Sequence, residues 1–271
     1  MMNKIQYALE QVRQKRPLVH HLTNYVTVND CANITLATGG SPVMADAIEE
    51  VKDMASIASS VVLNMGTLNK RTLASMITAG KTANQKGIPV VFDPVGVGAT
   101  RYRNESALEI LSKVTCDVIR GNASELRFLL ERKSETNGVD AVINAHDYDI
   151  QTMVVNLANT FHCVVACTGA IDIISDGKKV IKIYNGHIQM SAITGTGCMC
   201  TSLIGAYCGA NDDTFIATCG ALISMGIAGE LAYEKAKQQG HGHFHMGILD
   251  EIGKLDAQTI AQKAKYDETE Y

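Results

Sequence analysis

The segment Ile193 to Ser202 reads ITGTGCMCTS, with two glycines, three threonines, two cysteines and no charged residue. Gly195, Thr196 and Gly197 lead into a helix-compatible run. Their backbone N–H groups could close on a phosphoryl group, and the helix N-terminus adds partial positive charge. Cys198 then stands at the helix start, where a reactive side chain would meet whatever the turn holds. No Lys-Ser or Lys-Thr follows the glycines, so the turn is not a P-loop, and it does not fit the dinucleotide fingerprint either. Other polar residues sit at the ends of apolar runs: Asn24, Asn64, Asp93, Arg120, Glu125 and Thr168. Each also has a plain reading. A Gly-x-Gly turn before a helix is common loop chemistry, Asp93-Pro94 suits a turn, and Thr168 suits a cap. Glu125 suits the first turn of a helix. Arg120 could face a surface carboxylate, although its planar fork matches phosphate oxygens.

Composition narrows the class of ligand. A net charge of −4 without a basic block argues against nucleic acid, whose binding depends on clustered Lys and Arg. Eight cysteines in 271 residues, none in a C-x-x-C pair, are too sparse for a disulfide framework and read as reduced thiols of a cytoplasmic protein. The N-terminal stretch carries charges throughout, with Ile5, Leu9 and Val12 at helical spacing, so it reads as an amphipathic helix and not a signal peptide. Residues 183 to 211 lack Asp, Glu, Lys and Arg, but Asn185, Gln189 and several glycines interrupt them too often for a membrane span. Uncharged sequence here reads as buried, or as pressed against a ligand.

The elements that must position these residues are legible in outline. Five β-branched runs, 17–23, 60–66, 88–94, 116–122 and 163–169, each end in polar or turn residues. Helical patterns lie between them, among them 45–58, 70–86 and 104–112. This alternation predicts an α/β fold with a mostly parallel central sheet and helices on both faces, in one domain over 1–271. Asp176-Gly177 joins two alternating runs and predicts a hairpin at one edge of the sheet. Beyond Gly197 the pattern is helical almost to the end, over 199–208, 214–239 and 246–265. In an open parallel sheet the ligand lies beyond the carboxyl ends of the strands, where the polar residues above collect.

The turn and its helix resemble the anion hole of the ribokinase-like kinases, in which the first helical residue after the glycines is usually an aspartate base. Within that resemblance Asn122 and Glu125 match an Asn-x-x-Glu magnesium motif. Eight stretches in order, VHHLTNYVTVNDCAN, GGSPVMA, LNMGTL, FDPVGVGAT, IRGNASE, CTGAIDII, NGH and TGTGCMCTS, make the chain similar to the hydroxyethylthiazole kinase family from about residue 5 to 265. The resemblance implies phosphorylation of the primary alcohol of 4-methyl-5-(2-hydroxyethyl)thiazole by magnesium ATP, a step toward thiamine phosphate. It also implies a homotrimer with active sites at subunit interfaces. It further implies that Met44 and Gly195 contact the thiazole, with Asn24 and Val26 near the interface. Arg120 and Thr168 would meet ATP, Gly195, Thr196 and Gly197 would form the anion hole, and Glu125 with Asp93 would hold Mg2+. Met44 could equally be core filler.

Cys198 takes the slot where related kinases carry aspartate. Phosphoryl transfer passes through a loose transition state with little proton removal at the barrier, so a weaker base is tolerated. The thiol could accept the alcohol proton or only orient the hydroxyl, and the sequence leaves both open. Cys200 reads as packing. His241, His243 and His245 alternate as a metal-binding extended segment might require, yet no cysteine or carboxylate stands at a ligand spacing, so they read as part of a glycine-rich connection. His187 could lie near the nucleotide or be structural. Rival readings are a kinase for another small alcohol, a nucleotide hydrate dehydratase on the same fold, and a regulatory nucleotide binder.

Overall fold

A computed structural model describes residues 1–136 and 149–270. In chain order the elements are α1 Met2–Lys15, β1 Leu18–Leu22, α2 Val28–Thr38, β2 Ser41–Val43, α3 Val51–Ile57, β3 Ser60–Asn64 and α4 Lys70–Lys86. There follow β4 Val90–Asp93, α5 Arg101–Lys113, β5 Val118–Gly121, α6 Ala123–Thr136, α7 Ile150–Phe161 and β6 Val164–Cys167. The hairpin strands β7 Asp172–Ser175 and β8 Lys179–Ile183 come next, then a 3-10 turn, Ile188–Ala192. The chain closes with α8 Thr196–Ala210, α9 Thr214–Ala236, α10 His241–Lys254, α11 Ala257–Lys263 and β9 Tyr266–Glu270.

The nine strands among the described residues join one sheet in the order β2-β1-β3-β4-β5-β6-β7-β8-β9. The first six run parallel, and β7, β8 and β9 add antiparallel pairs. Of these parallel strands, β3, β4, β5 and β6 are short runs rich in β-branched residues and buried on both faces, while β2 at the edge is only half-buried. Val62, Val91 and Val118 face one apolar layer with α1, α8 and α9, while Val61, Leu63, Val90 and Phe92 face the other, with residues of α4, α5 and α7. Helix α4 is delimited locally by an Asn69–Thr72 capping box at its start and by Gly87, at φ +66°, at its end. Helix α9 is long and apolar enough to cross a membrane, and 89% of its most apolar window is buried inside the protein.

Several expectations change. The Asp176-Gly177 hairpin is present but does not form the edge, because Tyr266–Glu270, beyond the last expected helix, add β9 outside β8. The helix expected over 246–265 is two helices separated at Leu255-Asp256, with Asp256 capping the second. The helix expected over 45–58 shortens to α3, since residues 44–47 form an irregular loop after the unanticipated β2. His241, His243 and His245 lie in the first turns of α10, so helical periodicity separates His243 from the face shared by the other two.

β1 leads outward to β2 and then back to β3 on its other side, so the strand order reverses at β1/β3. Such a reversal opens a crevice at the carboxyl ends of the strands. Helix α8 runs from that crevice back along β1 and β3, and it packs closely on their starting residues because Gly205 and Gly209 present no side chain. A Cβ on Gly205 would lie 2.5 Å from Val62, and one on Gly209 would lie 3.1 Å from Pro17 and Ser59.

His21, on β1, is wholly buried, with Nε2 3.2 Å from Thr35 Oγ1. Burial holds its pKa down to about 3, with His20 adding a smaller push in the same direction. The unfolded chain therefore takes up this proton first, and the fold loses stability as pH falls from about 6.5 toward 3. At pH 5 the expected loss from His21 alone is about 2 kcal/mol relative to pH 7. Urea unfolding of wild type and His21→Asn at both pH values checks this, because the oppositely directed contributions of buried carboxylates cancel in the comparison. Equal pH dependence in the two proteins would contradict it.

Candidate active site

At the strand reversal two side chains converge on one sulfur. Asn24, after β1, and Asn64, ending β3, each donate an Nδ2 hydrogen to Cys198 Sγ at 3.3 Å. Asn24 also donates to Asn64 Oδ1 at 2.9 Å, and its own Oδ1 accepts from the Thr27 amide and hydroxyl, both at 3.1 Å. Gly66 leaves room for this arrangement, since a Cβ there would sit 2.6 Å from the Asn24 side chain. Asn64 passes its remaining hydrogen to Asp93 Oδ2 at 2.9 Å. The two amides are locked by these bonds, so Cys198 faces fixed donors aimed at an acceptor atom.

Gly195 is the N-cap of α8 at φ +90°, a conformation that favours glycine, and a Cβ there would meet Thr27 at 2.9 Å. Thr196, Gly197 and Cys198 form the first helical turn. Its leading N–H groups have no partner within the helix, and such groups are donors of the kind that hold anions at helix N-termini.

On the far side of this turn Arg120, from β5, donates to Thr168 Oγ1 and lies 3.5 Å from Asp93 Oδ2. Asp93 is fully buried, accepts from Thr201 Oγ1 at 2.7 Å, and keeps Oδ1 without a partner among the described residues. Burial pushes its pKa up to about 6. The Arg120 charge and the Thr201 bond oppose that shift, while the Glu125 charge adds to it. Glu125 caps α6: its carboxylate accepts the Asn122 amide at 2.9 Å and the Gly96 amide at 2.8 Å, while Asn122 Oδ1 accepts the Glu125 amide at 3.0 Å. The plain reading of Glu125, a carboxylate in the first turn of a helix, is thus met, and each oxygen, holding one backbone hydrogen, keeps acceptor capacity.

Beyond Arg120 opens a cavity of about 650 Å³. Arg120, Thr168, Asp172, Thr196 and Gly197 line its polar end, and Met190, Leu222 and Met225 supply apolar surface. Asp172 accepts the Gly169 amide at 2.9 Å and its pKa is raised to about 6 by burial. Cys200, read from sequence as packing, is buried but also lines this cavity, its thiol pushed up to about 12 by burial. His187 is another lining residue and is stacked on Tyr233.

Of the sequence-derived residues, Asn24, Asp93, Arg120, Glu125, Thr168, Gly195, Thr196, Gly197 and Cys198 gather around the first turn of α8. Met44 is half-buried on the loop after β2, beside Ala45, whose carbonyl accepts from His20 Nε2 at 2.6 Å. Val26 is 57% exposed, away from these bonds. Asn64, at a strand end, is among the residues that the carboxyl-edge rule collects, and it joins them here. Thr201 and Asp172 were not singled out, because their places beside Asp93 and in the cavity are set by tertiary packing.

The chain matches the hydroxyethylthiazole kinase family over residues 9–258. It belongs to that family. A hydroxyethylthiazole kinase of Ruminiclostridium cellulolyticum is 51% identical over 265 residues, covering 96% of each chain. The structure of the Pyrococcus horikoshii hydroxyethylthiazole kinase superposes with a TM-score of 0.89 at 41% identity, covering 98% of each chain. A ribokinase-like superfamily protein of Enterococcus faecalis shares the fold at 10% identity, with a TM-score of 0.63 over 95% of each chain. The α/β architecture of this family member is thus ribokinase-like. The carboxyl-edge crevice of its sheet is where Cys198 and Arg120 lie on the two sides of one helix terminus.

Proposed function

We propose that this chain transfers the γ-phosphoryl group of ATP to the primary alcohol of 4-methyl-5-(2-hydroxyethyl)thiazole, serving thiamine synthesis in the cytoplasm. One observation carries the reading: the open N-terminus of α8 stands between Cys198, held by two asparagine amides, and a cavity edged by Arg120 and Thr168. Family membership supports the choice of acceptor.

In this reading Gly195, Thr196 and Gly197 receive the transferring group on backbone N–H donors. Arg120 and Thr168 orient the nucleotide phosphates. Cys198 positions the alcohol, or takes its proton once the barrier is passed. Asn24 and Gly195 border the thiazole beside Met44. Val26, with the exposed Tyr25, belongs to a subunit contact of a homotrimer. One domain carries the whole activity.

Mg2+ fits the residues present. It uses one or two carboxylates and completes its shell with water and phosphate oxygens. Asp93 and Glu125 are close enough to raise the Asp93 pKa, and Asp93 Oδ1 has no partner among the described residues. These two would hold the ion, directly or through water. Bound with ATP, it would neutralise charge developing on the phosphate oxygens.

Coupled ADP release with magnesium, ATP and hydroxyethylthiazole tests the activity, and sedimentation tests the trimer. ADP release with a different alcohol but none with the thiazole would overturn the acceptor. ATP-dependent dehydration of a hydrated nicotinamide nucleotide would favour the dehydratase rival.

A further inference from the structure

The segment after β8 is fixed with unusual thoroughness for a loop. Asn185 Nδ2 donates to Glu230 Oε1 at 3.1 Å and to the Lys263 carbonyl at 2.9 Å, and its Oδ1 accepts the Lys265 amide at 2.7 Å. The Gly186 amide donates to the same Glu230 oxygen at 3.0 Å. Helix α9 receives the segment without side chains in the way: a Cβ on Gly226 would lie 2.6 Å from Asn185, and one on Gly229 would lie 2.4 Å from Met190 Sδ.

This anchoring presents a single ring. The His187 imidazole stacks on Tyr233 with centroids 3.5 Å apart and planes 19° apart. Its Nδ1 accepts the Gln189 amide at 3.2 Å, so the ring cannot turn without losing both contacts, and in the neutral ring that bond leaves the proton on Nε2. Tyr233 is held in turn, edge-on to Phe244 at 6.3 Å. His187 lines the 650 Å³ cavity and Tyr233 does not, so Tyr233 backs the imidazole from outside. Near it the cavity is apolar, with Met190, Leu222 and Met225, and the hydroxyls of Ser191 and Thr196 are already committed to the Ile188 and Met190 carbonyls.

A rigid flat ring over apolar side chains, in the same cavity as the cationic Arg120, matches a molecule that is flat and apolar in one part and anionic in another. We infer that His187, backed by Tyr233, is the platform on which the base of the nucleotide stacks. This rests on the reading of the cavity as the ATP site. Stacking recognises any base through its π face, so the platform contributes affinity and orientation without touching the reacting atoms.

The expected result is a rise of about tenfold in the ADP dissociation constant for His187→Ala, with His187→Phe within about threefold of wild type. Inorganic tripolyphosphate, which carries the anionic part without the base, should bind wild type and His187→Ala equally, and the KM for the thiazole should not move. A merely structural histidine would weaken both anions together or neither. The sequence contains no tryptophan, so His187→Trp adds a unique fluorophore that saturating ADP should quench. An unchanged ADP constant in His187→Ala, or tryptophan emission indifferent to bound ADP, would overturn the inference. Failure of wild type to bind ADP at all would instead overturn the assignment of the cavity to ATP.

Discussion

Cys198→Ala is expected to lower turnover by about 10- to 100-fold while leaving the KM of ATP and of the thiazole within about threefold. The reason lies in the bonds that reach the sulfur. Two locked amides, from Asn24 and Asn64, donate to it at 3.3 Å, so whatever occupies this point must accept hydrogen bonds. Alanine leaves both donors without their acceptor and, in the proposed reading, removes the group that would meet the alcohol. Ground-state binding is expected to survive, because the other residues proposed to contact the thiazole and the nucleotide, Met44, Gly195, Arg120 and Thr168, are unchanged. The loss is held below that of a strong base because the loose transition state asks little of proton removal. Cys198→Asp should retain or raise activity, since a carboxylate oxygen accepts the same two amide hydrogens. Steady-state kinetics with both substrates varied would decide it. Turnover in the alanine variant equal to wild type would remove Cys198 from the chemistry.

Gly197→Ala is expected to lower kcat/KM for ATP by about 100-fold or more. The change is one methyl group in the first turn of a helix, a place where alanine is intrinsically favourable. Its Cβ, however, would lie 2.7 Å and 2.9 Å from the two terminal nitrogens of Arg120. The guanidinium must move, giving up Thr168 and its approach to Asp93. Displacing this cation leaves the buried Asp93 carboxylate poorly compensated, so its pKa should climb further above 6. Thermal unfolding should therefore show a loss of stability that shrinks on lowering the pH toward 5, where Asp93 becomes neutral in the folded state. That sign follows from a raised carboxylate pKa, which makes the folded state the better proton binder between about pH 4 and its own titration. An unchanged KM and kcat for ATP would mean that Arg120 does not orient the nucleotide.

Five parallel strands, β1, β3, β4, β5 and β6, were legible because each lies in a run rich in β-branched residues that ends in polar or turn residues, the composition that burial within a covered sheet favours. Helix α1 announced itself through Ile5, Leu9 and Val12 on one face. Strand β2 did not, being three residues that include a proline. Nor did β9, whose Tyr-Asp-Glu-Thr-Glu sequence becomes a strand only because β8 offers it an open edge. Asp256 splits the last helical pattern by capping a new helix, a signal visible in principle but overridden by the apolar periodicity around it.

The amino-acid sequence by itself determined the alternation of five parallel strands with helices, the hairpin after them, the glycine turn before α8, and the polar residues at the strand ends. All of these follow from local rules of backbone freedom and side-chain pattern. Only the tertiary structure decided that Cys198 meets Asn24 and Asn64, which precede it by 174 and 134 positions. The same holds for the shared Asp93 oxygen of Asn64, Thr201 and Arg120, and for the backing of His187 by Tyr233. The reversal of strand order at β1/β3 and the side-chain-free contact of Gly205 and Gly209 bring these groups together. Contacts between residues so far apart in the chain arise from how sheet and helices pack, and no local pattern encodes them.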